Sequence, residues 1–253
     1  MNAVAAVFYR DFRQRITNVA WLFWDLFVPV AYLVLFGTGF ERAFAGSFVV
    51  GGESVGYVAF LLPGVIAMTS FGVAMNTSWG FFMDKDSGIF YELLTYPITR
   101  EQLLIGKICF NVLLAAAGTL LVVAVAVLAL GVEVRWGALP LTFLALAMTT
   151  AGWFFLFSIV AVRMRRLDTF NTLTSAAYIV LMFISTMFYP LEQQPAWFRG
   201  AALLNPMTWQ VDVLRHTLLG VGAAATVLLE ALAFGAFTLV CLYFAVRALN
   251  RAA

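Results

Sequence analysis

The sequence predicts an all-α, polytopic membrane fold. It has six transmembrane helices, an N-terminal amphipathic surface helix, a short cytoplasmic helix and an outer re-entrant helical hairpin. Three observations predict it. Of 253 residues, 63% are hydrophobic and 11% charged, against roughly 45–50% and about 25% in soluble domains. The mean hydropathy is +0.95. Apolar runs long enough to cross a bilayer, ~20 residues each, recur along the chain. A soluble fold of this size needs a polar skin, so a soluble enzyme, a disordered chain and a secreted disulfide scaffold are excluded. The chain reads as a single transmembrane domain, 1–253.

Residues 1–18 place Val4, Phe8, Phe12 and Ile16 near helical spacing, with Arg10, Asp11, Arg13, Gln14 and Arg15 on the other side. Such a helix suits the membrane surface. The spans follow at about 21–40, 56–83, 108–130, 139–162, 170–189 and 226–246. Ala43-Phe44-Ala45 resembles a cleavage site, but the long N-terminal flank and the five later hydrophobic segments argue for a retained first span. Asp25 lies near the interface, shallow enough to meet water or a partner residue. Pro63-Gly64 would kink or break the second span unless neighbours satisfy the freed carbonyls. Segments 41–55 and 131–138 read as short, glycine-bearing loops. Cys109 and Cys241 sit in apolar runs and read as small buried hydrophobes.

Charge sets the orientation. With the N-terminus inside, 11 of the 15 basic residues fall on the cytoplasmic side, and only Arg42, Arg135, Arg199 and Arg215 lie outside. The positive-inside rule then places both termini in the cytoplasm of a cell-membrane protein. A net charge of +2, thinly spread, gives no nucleic-acid signature.

Two segments are neither spans nor ordinary loops. The cytoplasmic stretch 84–107 puts Ile89, Phe90, Leu93 and Leu94 on a stripe beside Tyr91 and Glu92, and Tyr96-Pro97 breaks it. Thr99 and Gln102 fit a capping box that restarts the helix. The outer stretch 190–222 opens a short helix at Pro195. Asn205 as N-cap and Pro206 at the first helical position start a second, and Gly220 ends it. Asp212, Arg215 and His216 share a polar face, with His216 read as a partner of Asp212. Two short half-polar helices of this kind suit a hairpin dipping into the outer leaflet.

Familiar catalytic motifs are absent. Gly106-Lys107 is followed by Ile108 and has Glu101 where a P-loop needs glycine. His216 lacks a second ligand at metal spacing. No nucleophile elbow or HExxH occurs, and no span holds a deep carboxylate pair. Energy must come from another polypeptide or not be needed.

The chain resembles the type-2 ABC exporter permeases, the membrane subunits of ATP-binding-cassette exporters. The resemblance covers essentially the whole chain. It is carried by GIFYELLTYPITREQLLIGK (88–107) and by the outer stretch with Asn205, Pro206, Thr208, Val211, Asp212 and Arg215. It implies two permeases, as a homodimer or with a similar subunit, each served by a separate ATP-binding subunit that binds the ATP and magnesium. It also implies that residues 1–18 and the segment with Ile89, Phe90, Glu92, Leu93 and Leu94 dock on that subunit, the apolar stripe entering a cleft there. The hairpin would line or seal the outer exit. An amphipathic cargo, such as a drug, a glycolipid or a lipo-oligosaccharide, is the expectation. The rival reading is a stand-alone membrane enzyme or lipid scramblase.

Overall fold

The computed structural model describes residues 2–43, 48–50, 53–93 and 95–251. Helices dominate. They are α1 (Ala3–Thr17), α2 (Val19–Ala43), α3 (Tyr57–Asp86), α4 (Ile89–Leu93), α5 (Arg100–Leu130), α6 (Leu139–Arg163), α7 (Leu167–Phe183), α8 (Ala196–Leu203), α9 (Pro206–Leu219) and α10 (Ala224–Arg251). The segment expected as a plain loop over 41–55 instead holds two three-residue strands, β1 (Phe48–Val50) and β2 (Glu53–Val55). They pair antiparallel with Val49 opposite Ser54. Phe48, Val49, Val50 and Val55 are aromatic or β-branched residues that favour a pleated pair.

Among the described residues, five helices are long and apolar enough to cross a membrane: α2, α3, α5, α6 with its preceding 3-10 turn, and α10. The chain is a multi-pass membrane protein. The remaining expected span, at 170–189, is not among them: that region forms the 17-residue α7, which stops at Phe183. The backbone leaves the helix there for two reasons. The Thr186 carbonyl accepts from Arg215 Nη2 at 2.8 Å. Met187 also packs onto Gly64 so closely that a Cβ on Gly64 would lie 2.5 Å from Met187 Cγ.

α3 is the central helix, in contact with α2, α5, α6 and α9. It runs unbroken through Pro63, the alternative left open for a proline enclosed by neighbours. Enclosure on all sides outweighs the one backbone hydrogen bond that proline removes. Around it, Phe71 meets Trp153 edge-on at 4.7 Å and Phe157 at 5.0 Å. α10 packs on α6 and α9, and α1 on α5. α2 is mostly uncovered, with Phe23, Phe27 and Leu35 exposed. Hydrocarbon-facing side chains need no polar surface, so such faces are stable in a bilayer.

Candidate functional site

The polar side chains gather at three levels. The first is the end of the bundle that carries α1. Lys107 Nζ lies 3.1 Å from Asp11 and 3.3 Å from Asp84. Arg10 adds a two-nitrogen contact to Asp84, one arm at 3.0 Å. Two cations and two anions from α1, α3 and α5 thus neutralise one another. Lys107, Asp11 and Asp84 are each under a tenth exposed, so none could remain there unpaired. Burial lowers the pKa of the Arg10 guanidinium, but the hydrogen bond and charge of Asp84 outweigh it and the net shift is upward. Gly106, next to Lys107, makes the close approach possible: a Cβ there would lie 2.7 Å from Val7 Cβ and 3.0 Å from the Val4 carbonyl. The neighbouring Lys85 ammonium caps the last turn of α6, donating to the carbonyls of Val162 and Met164.

α4 hangs from this end. The capping box forms: Gln102 N donates to Thr99 Oγ1 at 3.2 Å, and Thr99 N donates to Gln102 Oε1 at 3.0 Å. The stripe divides, however. Phe90 is 2% exposed and packs edge-on against Phe81. It belongs to this chain's own core, so the expectation that it enters a partner's cleft is corrected. Ile89, Tyr91 and Glu92 are the exposed residues, and Leu93 is half-buried. Five residues make little more than one turn, too short for a stripe to share one outward face. Leu94 lies outside the described residues.

The second level is a cavity of about 490 Å³ between α2, α3 and α7. Trp21, Trp24, Val28 and Tyr178 supply apolar wall; Asp25, Thr69 and Asn76 supply polar atoms. Asp25 does meet a partner: Arg15 Nη2 at 3.0 Å, and Asn76 Nδ2 donates to it at 2.8 Å. Burial lowers the Arg15 pKa against the opposing pull of Asp25 and Asp11.

The third level is α9. It runs antiparallel to α3: Gln210 meets Ser70, midway along α3, while Arg215 lies against Phe60 in its first turn. Gln210 is a buried hub that donates to Ser70 Oγ at 2.5 Å and Thr149 Oγ1 at 3.1 Å and accepts from Trp153 Nε1 at 2.6 Å. Asn205 works in both directions. Its Oδ1 accepts from Met207 N at 2.9 Å, capping α9, and its Nδ2 donates to the carbonyls of Leu181 and Ile184 at 2.7 and 2.6 Å, closing α7. Pro206 is the first residue of α9, and Gly220 is its C-cap. Asp212 is held by Arg215 at 2.5 Å and by the Thr186 hydroxyl at 2.9 Å. His216 does not pair with Asp212; its Nδ1 lies 3.1 Å from the Gly222 carbonyl. Thr208 is fully buried, and its hydroxyl has no hydrogen bond among the described residues.

The structure therefore brings Asp212 and Arg215 together near the first turn of α3 and sets them apart from α4 at its other end, while Asn205 joins the start of α9 to the end of α7 deeper in the bundle. Sequence reasoning did not pick out Asp84, Lys107, Gln210 or Glu230 as a site. Their signal was available: ionisable or amide groups inside or at the ends of apolar runs need partners. Only the fold says which partners.

Among known proteins, the family described as ABC-2 type transporter matches residues 2–219. The chain is 27% identical over 192 residues to the transport permease ycf38 of Cyanophora paradoxa, covering 74% of this chain and 64% of that protein. It is 27% identical over 218 residues to the ycf38 permease of Porphyra purpurea, covering 85% and 74%. Nodulation protein J of Rhizobium leguminosarum bv. viciae is 25% identical over 195 residues, covering 76% and 72%. The aligned part is thus just under two thirds of the Cyanophora protein's length.

Proposed function

The chain belongs to the ABC-2 type transporter family, and from that premise we propose that this membrane transporter subunit is the permease of an ATP-driven exporter. It moves an amphipathic or lipid-linked cargo out of the cytoplasm or the inner leaflet. Two permeases pair, and two copies of a separate ATP-binding subunit hold the ATP and magnesium. No cofactor binds this chain, which performs no hydrolysis itself.

One observation carries the cargo class. The cavity between α2, α3 and α7 combines tryptophan and tyrosine walls with the buried Asp25 carboxylate and the half-buried Asn76 amide. Such walls accept an apolar body or a sugar face, and the polar atoms accept a head group. The cavity borders the uncovered face of α2, so a second permease seated there would close it.

Support for six crossings comes from α7. It begins just after Met164, whose carbonyl takes Lys85, and ends beside Asn205, and three residues further on the Thr186 carbonyl reaches Arg215 at the end of the bundle away from α1. Its 17 residues rise about 26 Å, close to a ~30 Å hydrocarbon core. With the basic end inside, both termini are cytoplasmic and the membrane is the cell membrane. α1 and the exposed residues of α4, Ile89, Tyr91 and Glu92, then face the ATP-binding subunit, with Phe90 and Leu93 supporting them from within.

The experiment is reconstitution. An affinity-tagged chain should co-purify an ATP-binding protein, and the pair in vesicles should move a fluorescent lipid-linked probe only with ATP. Trp24→Ala should lower probe movement while leaving co-purification intact. Probe movement by the lone permease, with no ATP-binding protein bound, would instead make it a scramblase.

A further inference from the structure

A second cavity, of about 180 Å³, lies at the bundle end away from α1, where α9, α10 and the bend after α7 meet. Its charges do not balance. Both terminal nitrogens of Arg215 are engaged, Nη1 on Asp212 and Nη2 on the Thr186 carbonyl, and its carbon lies 4.3 Å above the Phe60 ring, while its buried Nε has no hydrogen bond among the described residues. Asp212 takes both Arg215 and Thr186 on its Oδ1. Glu230 of α10 lines the same cavity and is only 8% exposed, yet it has no hydrogen bond or ion pair among the described residues. Glu192, exposed, stands on the cavity wall as a third carboxylate. Three carboxylates thus share one guanidinium, and only Asp212 is within ion-pair distance of it among the described residues.

We propose that this cavity binds a primary ammonium group, with Glu230 as its principal partner and Glu192 guiding it in. A buried carboxylate without a partner is costly unless it holds a proton or meets a cation. An ammonium supplies three N–H donors from one compact centre, and its charge-assisted bonds to a carboxylate are the strong kind. Val221, Val227 and Pro190 on the walls suit the carbon chain behind the nitrogen. A metal ion fits poorly, because no group of three His, Cys, Asp or Glu among the described residues could hold one. The site needs no ATP-binding partner and stands whether or not the export reading does. The ammonium can come from an aminophospholipid head group or from a water-soluble amine.

The test uses the full chain in nanodiscs of phosphatidylglycerol, which carries no ammonium. Dicyclohexylcarbodiimide reacts with carboxyl groups in apolar sites, and the adduct is located by peptide mass spectrometry. Glu230 should be labelled, and Glu230→Gln should remove that adduct. Ethylammonium chloride at ten times its dissociation constant should cut the labelling about tenfold, the fall in the unoccupied fraction, while equal sodium chloride should not. Glu192→Gln should require more ethylammonium for the same protection. Nanodiscs containing phosphatidylethanolamine identify the source: protection there without added amine assigns the lipid head group, and protection by ethylammonium alone assigns the soluble amine. Equal protection by sodium, no protection by either form of ammonium, or a Glu230 that is never labelled would each overturn the proposal.

Discussion

At the scale of single residues, the polar side chains act as connectors between helices. Lys107 is the clearest case. Its Nζ serves carboxylates from two other helices, Asp11 and Asp84, and all three side chains are buried. Removing it leaves two like charges with only Arg10 between them. Lys107→Met should therefore destabilise the purified chain by about 3 kcal/mol, read as a lower unfolding temperature in detergent, with proteases reaching α1 first. Arg10 is more than a quarter exposed, so Arg10→Ala should cost roughly 1 kcal/mol. Equal losses would mean that Lys107 is not the hub. Asn205 allows a sharper test. At an ordinary N-cap, aspartate replaces asparagine with little loss. Here the amide nitrogen also donates to Leu181 and Ile184, and aspartate would set a carboxylate oxygen against those carbonyls. Asn205→Asp should thus be at least as harmful as Asn205→Ala, each by about 2 kcal/mol in the same assay. An aspartate variant as stable as the parent would reduce Asn205 to a cap alone.

At the scale of elements, α4 shows how a short helix divides its labour. Phe90 packs against Phe81 within the permease, while Ile89, Tyr91 and Glu92 face outward. Truncating a buried phenylalanine costs about 3 kcal/mol or more. Phe90→Ala should therefore lower the stability of the permease even with no partner present. Ile89→Ala and Glu92→Lys should leave that stability unchanged and weaken co-purification of the ATP-binding subunit. Loss of an interface anchor typically exceeds 1 kcal/mol, or roughly fivefold in affinity. Measuring unfolding temperature and co-purified partner for all three variants separates the two roles. Normal co-purification with both outward variants would show that α4 only joins α3 to α5. α1 follows the same logic. Its amphipathic pattern was legible in the sequence, but its Asp11 is buried against Lys107, so its polar side is not simply a solvated face.

At the scale of the whole molecule, the bundle gathers several of its basic side chains at the end that carries α1. Arg10 meets Asp84, Lys85 meets the end of α6, and Arg100 donates to Asn250 at 3.0 Å. With that end inside, a cysteine at Tyr91, in a chain lacking Cys109 and Cys241, should react with an impermeant reagent only after the membrane is opened. One at Trp197, which is exposed on α8, should react in intact cells. The opposite pattern would invert the orientation. The sequence by itself determined the membrane class, the placing of the long apolar helices, the Thr99 capping box and the Asn205-Pro206 helix start. Each of these depends on composition or on neighbours within a turn, and such effects are local. The partners of the buried polar groups were set by packing alone. Asp25 takes Arg15, Gln210 gathers Ser70, Thr149 and Trp153, and His216 turns to Gly222 rather than Asp212. Packing also decided that Phe90 points inward, that α3 runs through Pro63, and that α7 ends at Phe183. These outcomes depend on side chains far apart in sequence. A buried polar group must find its partner wherever packing brings one within about 3 Å, and no spacing rule along the chain encodes that distance.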